Sequence, residues 1–371
     1  MTASSPGSGL NFGASLPALV ALGPSSQSND PDPTRTGNGF HSHSADDIAA
    51  LASVGVTDLR LGFDWARLEP RPGGLDGQWV EWYSDVITAA SMNGVRVWAV
   101  LLERTIPRWF DDEGGFCDTK AAGRRWPLFV EKVAEVFGDR VGGWFPIEDP
   151  IGFAARTEAD DARRHGELVD TLAVAWRDAW RILHGGPPIA TSLTIRHVRP
   201  EEGSPIAVER AQREDHLRFR TFLHGLRDGT VVIPGRADRQ LADLAGAVDV
   251  IGVKMRSDLG ADSTIDDESL RRWQERAQTL IHRVVDEGPD RPLAVIQRVN
   301  RRSTIETSRD AEVLTEAFVR AVDASRVDGI AIETVFVEPG ISADRDSSAH
   351  ALLDWSRRPT TVVDAWHRRQ R

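Results

Sequence analysis

The feature that most constrains this chain is a regular exchange between short apolar runs and longer amphipathic stretches. Apolar runs fall at Leu59–Phe63, Val95–Leu102, Val141–Ile147, Ile189–Thr194, Val248–Lys254, Leu293–Ile296 and Gly329–Val335, often bounded by Gly, Pro or Asp. An eighth, Leu10–Leu16, is weaker, being interrupted by Gly13 and followed by Pro17. Between them, helical periodicity predicts helices over Asp46–Ser53, Trp79–Asn93, Ala122–Phe137, Glu167–Leu183, Ala207–Leu226, Leu270–Asp286 and Arg309–Ala324. Strands separated by helices pair in parallel, because the chain must cross back over the sheet before the next strand begins. Eight such units, with no G-x-G-x-x-G turn after the first, predict an α/β fold closed into a (β/α)8 TIM barrel rather than an open dinucleotide-binding sheet. No repeat or linker divides the chain, so residues 1–371 are expected to form one barrel domain. The polar stretch Gly23–Asn38 is expected to be a flexible loop over one end, and His367–Arg371 a short charged tail.

Charge narrows the partners. The chain carries 56 acidic against 45 basic residues, a net charge of −11, which advertises no broad phosphate-binding face and argues against nucleic acid. The single Cys117 allows no internal disulfide and fits a cytoplasmic location. The apolar patch Leu16–Leu22 is too short to cross a bilayer and lacks a charged segment before it, so neither a membrane span nor a signal peptide is expected. Only Lys120, Lys132 and Lys254 are lysines, which leaves lysine-dependent covalent chemistry few candidates.

In such a barrel the chemistry sits where strands end. Those ends are acidic here: Glu103 after the third run, Glu148 and Asp149 after the fourth, and Glu333 in the eighth. Arg60, Lys254 and Arg256 are candidate counter-charges, with Met255, Gln297 and Arg298 at neighbouring strand ends. Carboxylates crowded in a cleft raise one another's pKa, which makes one of them a proton donor near neutral pH. Each alone reads more readily as a helix cap or rim ion pair, Asp64 above all, and the signal is the cluster. Among the tryptophans, Trp65, Trp109 and Trp144 are candidate sugar-stacking platforms, whereas Trp79, Trp82, Trp176 and Trp180 have helical spacing and read as core. His41 and His43 lack a third ligand at fixed spacing, so no metal site is expected.

Several segments resemble the family 1 glycoside hydrolases of β-glucosidase type. DLRLGFDWARLEP (Asp58–Pro70) is similar to that family's second strand with its Arg and Trp. IPRWFDDEGGF (Ile106–Phe116) resembles the loop after the third strand, and VFGDRVGGWFPIEDP (Val136–Pro150) the approach to an Asn-Glu-Pro motif. LAGAVDVIGVKMRSD (Leu244–Asp258) and RPLAVIQ (Arg291–Gln297) resemble the sixth and seventh strands. The resemblance implies a barrel with its acid on strand four and its nucleophile on strand seven. It places Asp149 at the acid position and Gln297, a neutral amide, at the nucleophile position, with Glu306 the alternative if the strand is misregistered. Glu103 stands where the family has a sugar-binding His, Met255 or Arg256 where it has Tyr, and Glu333 where it has Trp; Arg60 alone is unchanged.

These readings converge on a glycosidase-type hydrolase with a degenerate site, acting on the O-glycosidic bond of a small glycoside. Asp149 would supply the proton, with Glu333 or Glu103 the second carboxylate and Glu148 a further catalytic candidate, and Arg60, Trp65, Gln297, Met255 and Arg256 binding substrate. No cofactor is demanded, since two carboxylates and water suffice. The acidic mouth favours a neutral or basic glycone. Two alternatives stay open: a retired carbohydrate-binding barrel, and a repurposed isomerase, lyase or cyclase acting on a small metabolite.

Overall fold

The computed structural model describes residues 9–29, 36–257, 265–299, 308–345 and 351–368. Eight parallel strands form the centre: β1 (Asn11–Leu16), β2 (Asp58–Gly62), β3 (Arg96–Leu102), β4 (Gly143–Ile147), β5 (Leu193–Ile195), β6 (Ile251–Ser257), β7 (Leu293–Val299) and β8 (Ile332–Glu338). They neighbour one another in the order β4-β3-β2-β1-β8-β7-β6-β5. Parallel bridges from Trp144 to Ile189 and from Glu148 to Ser192 join β4 to the segment leading into β5 and close the ring. The helices α1 (Phe40–Ser53), α2 (Gly77–Met92), α3 (Thr119–Phe137), α4 (Ala162–Leu183), α5 (Pro205–His216), α6 (Asp267–Glu287) and α7 (Ser308–Val327) alternate with them. Aspartates start several of these helices: Asp76, Asp118 and Asp161 each accept backbone N–H bonds that the first turn leaves unpaired, and Asp266 forms a capping box with Ser269. No helix among the described residues is long and apolar enough to cross a membrane.

Two differences from the sequence reading matter. The helix expected over Ala207–Leu226 is interrupted by a π turn, Leu217–Thr221. More consequentially, β7 and β8 each run three residues beyond their apolar runs, to Val299 and Glu338. The described part of the 23–38 loop packs down: Asn29 N–H donates to the Ile106 carbonyl at 3.1 Å and Arg108 N–H to the Gln27 carbonyl at 2.7 Å. That anchors it on the segment following β3, at the end of the barrel where strands finish. Residues 30–35 and the tail 369–371 lie outside the described residues.

Trp98, Val100, Phe145, Ala190, Val250, Ala294, Ile296 and Phe336 fill the barrel interior as a cluster separate from the larger core between sheet and helices. Inward glycines make the room. A Cβ on Gly143 would meet the Trp98 ring at 2.2 Å, and one on Gly13 the Phe336 ring at 2.4 Å. On Gly252 it would lie 1.8 Å from the Thr191 carbonyl oxygen, which cannot move without breaking the sheet. Gly252→Ala is therefore expected to cost at least the about 1–3 kcal/mol of core overpacking. Gly123→Ala, in α3 with nothing within 4 Å of the added methyl, is expected to gain about 0.5–1 kcal/mol. Urea unfolding of both variants checks the pair.

Candidate active site

Where the strands end, the apolar interior gives way to a buried layer of ions. Four strands and a bridge segment supply it: Arg60 from β2, Lys254 from β6, Glu338 as the last residue of β8, Ser15 from β1, Ser192 ahead of β5, and Glu148 directly after β4. The Arg60 guanidinium is 1% exposed and lies 4.7 Å from the centre of the Phe145 ring. Its Nη1 donates to Ser15 Oγ at 3.0 Å and pairs with Glu338 Oε2 at 3.5 Å; its Nη2 donates to Ser192 Oγ at 3.2 Å and pairs with Glu148. Ser192 Oγ in turn donates to Glu148 Oε2 at 2.6 Å, and Ser15 Oγ to Glu338 Oε2 at 3.2 Å. Lys254 bridges the two carboxylates, pairing with Glu148 and reaching Glu338 Oε2 at 2.8 Å. Two cations and two anions thus neutralise one another away from water, which is the condition under which buried charge is tolerated. Arg60 Nε is the exception, buried without a partner.

Glu103 sits beside this layer, partly buried. Its Oε2 accepts the backbone N–H of Ala18 at 2.7 Å. Gly62 permits the approach, because a Cβ there would lie 2.4 Å from that nitrogen and 2.5 Å from the carboxylate. Burial pushes the Glu103 carboxyl up to about 7 despite the opposing pull of Arg60 and the Ala18 bond. Burial also pushes Glu338 upward, but Lys254, Arg298 and Arg60 outweigh it and hold that carboxyl at about 2. Lys254 is brought down to about 8, by burial first and by repulsion from Arg60 and Arg298, against the attraction of Glu338. One mouth therefore holds one carboxyl protonated well above the ordinary range and another ionised well below it.

The remaining candidates are placed elsewhere. Glu333 is exposed near the start of β8, at the opposite end of the barrel, and the eighth-strand carboxylate at the mouth is Glu338. Gln297 is fully buried, but it faces outward: its Nε2 donates to Thr315 Oγ1 of α7 at 3.2 Å, and its Oε1 has no partner. The inward residues of β7 are Ala294 and Ile296, so Arg298 is the next to face the barrel, 3.6 Å from Glu338. Met255 likewise belongs to the core between sheet and helices. Arg256 is in β6, its side chain outside the described residues, and Glu306 lies outside them altogether. Trp65 is no platform: it is 1% exposed, stacked on Phe129 at 4.6 Å, with Nε1 donating to Glu69. Trp144 is buried too, and half-buried Trp109 donates to the Glu69 carbonyl. Trp176 is core, while Trp79, Trp82 and Trp180 are half-buried at its edge. Asp149 has φ +40° and caps the helix Pro150–Thr157, accepting from Gly152 N–H at 3.2 Å. Asp64 caps the turn Trp65–Leu68 and pairs with Arg67. His41 and His43 are exposed, and no cluster that could hold a metal occurs among the described residues.

The model of "Glycosyl hydrolase family 1" matches residues 26–157. "Beta-glucosidase 17" of Arabidopsis thaliana is 29% identical over 119 residues, 31% of this chain and 23% of that protein. "Probable inactive beta-glucosidase 25" of the same plant is 27% identical over 146 residues, 38% of this chain and 27% of that protein. The alignments thus span about a quarter of these relatives' length. In fold the likeness is far wider: a β-glycosidase from Pyrococcus horikoshii superposes with a TM-score of 0.79 at 17% identity, covering 95% of this chain and 92% of that one. A Thermotoga maritima β-glucosidase in complex with deoxynojirimycin gives 0.78 at 14% identity, covering 97% of each chain.

Two outcomes test the placement of these groups. Gln297→Glu is expected to cost about 2–4 kcal/mol at pH 7, less at pH 5 where the new carboxyl is protonated, because its surroundings are apolar helix and sheet. Its thermal unfolding across that range reads the difference. For Glu103 the folded carboxyl, at about 7, binds its proton more tightly than the unfolded one. Its contribution is therefore full below about pH 4.5 and lost as pH rises through about 7, by up to about 3 kcal/mol. Glu103→Gln is expected to remove that fall, as followed by denaturant unfolding at pH 5 and pH 8.

Proposed function

This chain is related to the family 1 glycosyl hydrolases, in sequence over its first part and in fold over nearly its whole length, and from that relationship we propose that it acts on the O-glycosidic bond of a small glycoside. The observation that carries the reading is the divergence of Glu103, at about 7, from Glu338, at about 2, within one mouth. Glycoside hydrolysis needs such a pair: a carboxylic acid to protonate the leaving oxygen, and a carboxylate to face the positive charge that develops on the sugar. Glu103 takes the first role. Glu338, with Glu148 joined to it through Lys254, takes the second. Asp149, the acid position by resemblance, instead spends its carboxylate on the helix that follows it.

The closed pairing of Arg60, Glu148, Lys254 and Glu338 favours a second reading, a barrel that binds sugar without turning it over. Each anion there already has a cation in contact, which leaves less negative potential for an oxocarbenium-like transition state. A panel of aryl α- and β-glycosides separates the two. Under the first reading wild type releases nitrophenol, kcat/KM falls as pH rises through about 7, and Glu103→Gln loses about 10²–10⁴ in kcat. Under the second, wild type is silent while sugars raise its Tm. Release that is unaffected in Glu103→Gln would contradict the assignment of the acid.

A further inference from the structure

Outside the buried ion layer, three guanidiniums stand at the same rim with little to balance them. Arg104 is the second residue beyond β3, Arg156 lies on the helix Pro150–Thr157 that follows β4, and Arg298 is one residue short of the end of β7. Arg104 and Arg156 are exposed, and neither makes a hydrogen bond or ion pair among the described residues. The Arg298 side chain is 43% exposed and reaches Glu338 at 3.6 Å, a carboxylate already shared by Lys254 and Arg60. Arg104 and Arg298 both lie close enough to repel the charge on Arg156, and the carboxylate that offsets Arg156 is Asp149. Meanwhile the carboxylates of the buried layer and beside it are cancelled: Glu148 and Glu338 by contact with cations, Glu103 by its displacement toward neutrality.

Guanidiniums that outnumber the carboxylates beside them repel one another, and a bound oxyanion relieves that repulsion while accepting several N–H bonds at once. We propose that Arg104, Arg156 and Arg298 form an oxyanion subsite at the barrel mouth, which takes a phosphate or carboxylate carried by the sugar. The ligand class becomes an anionic glycoside, the reverse of the neutral or basic glycone that the sequence favoured. The inference rests on the reading of this mouth as a sugar site, but not on turnover.

Isothermal titration of the full chain at low ionic strength tests it, with glucose, glucuronate, glucose 6-phosphate and inorganic phosphate as probes. One or both anionic sugars are expected to bind at least tenfold more tightly than glucose, and the one that does identifies the oxyanion. That preference is expected to shrink to within threefold in the double variant Arg104→Gln, Arg156→Gln, and to persist in Arg320→Gln on the outer face of α7. Both rim residues are exposed, so their removal does not endanger the fold. The proposal is overturned if neither anionic sugar binds more tightly than glucose, if only inorganic phosphate binds, or if the preference survives the double variant. Anionic sugars bound without hydrolysis would leave the subsite standing and remove the catalytic reading; neutral glycosides hydrolysed with no anionic preference would do the opposite.

Discussion

The structure depends on how a closed barrel ends. Its interior is apolar through the ring of Trp98, Phe145 and Phe336, and the top of that ring must meet either water or a polar layer with every charge paired. Here Arg60 spans the opening, stacked on Phe145 and shared between Glu148 and Glu338, while Lys254 ties the same two carboxylates from the other side. Because these groups come from β2, β4, β6 and β8, the layer also fixes the register of opposite sides of the barrel. Taking away one member leaves a buried charge uncompensated, typically at a cost of about 3–5 kcal/mol.

The same layer sets the chemistry available beside it. Two mutually neutralised ion pairs make a poor acid, and it is Glu103, bonded to one backbone N–H and set against this layer, that holds a proton near neutral pH. Farther out the balance reverses, with Arg104 and Arg298 near Arg156 and Asp149 the carboxylate that offsets Arg156. The mouth is thus graded from a paired interior through a protonatable carboxyl to a cationic rim. A formal charge of −11 over the chain says nothing about that local arrangement.

The fold was legible in the sequence because the strand and helix periods alternate cleanly, and all eight strands lie where apolar runs predict them or within a few residues. The site was less so, for two physical reasons. Parallel strands in a barrel are buried on both faces, so apolar alternation does not tell inward from outward residues. Gln297 and Met255 therefore read as substrate-binding mouth residues although they face the helices, whereas Arg298, named only as a strand-end residue, is the one that faces the barrel and pairs with Glu338. Second, the top layer is polar, so an apolar run stops before its strand does. The run ending at Val335 concealed Glu338, and Glu333 was chosen in its place. Counting by twos along β8 to Glu338 from Phe336, an interior aromatic, is the signal that finds it. Trp65 was misread because the turn Trp65–Leu68 folds it under the barrel rim among Phe110, Phe129 and Trp126.

The divergence of two carboxyls in one mouth is the claim on which the functional reading rests, and ¹³C NMR titration of side-chain carboxyls, assigned by difference with Glu103→Gln and Glu338→Gln, measures it directly. The account predicts a Glu103 resonance with its midpoint near 7 and a Glu338 resonance still unshifted at pH 4. Midpoints for both near the ordinary glutamate value of about 4.3 would contradict it.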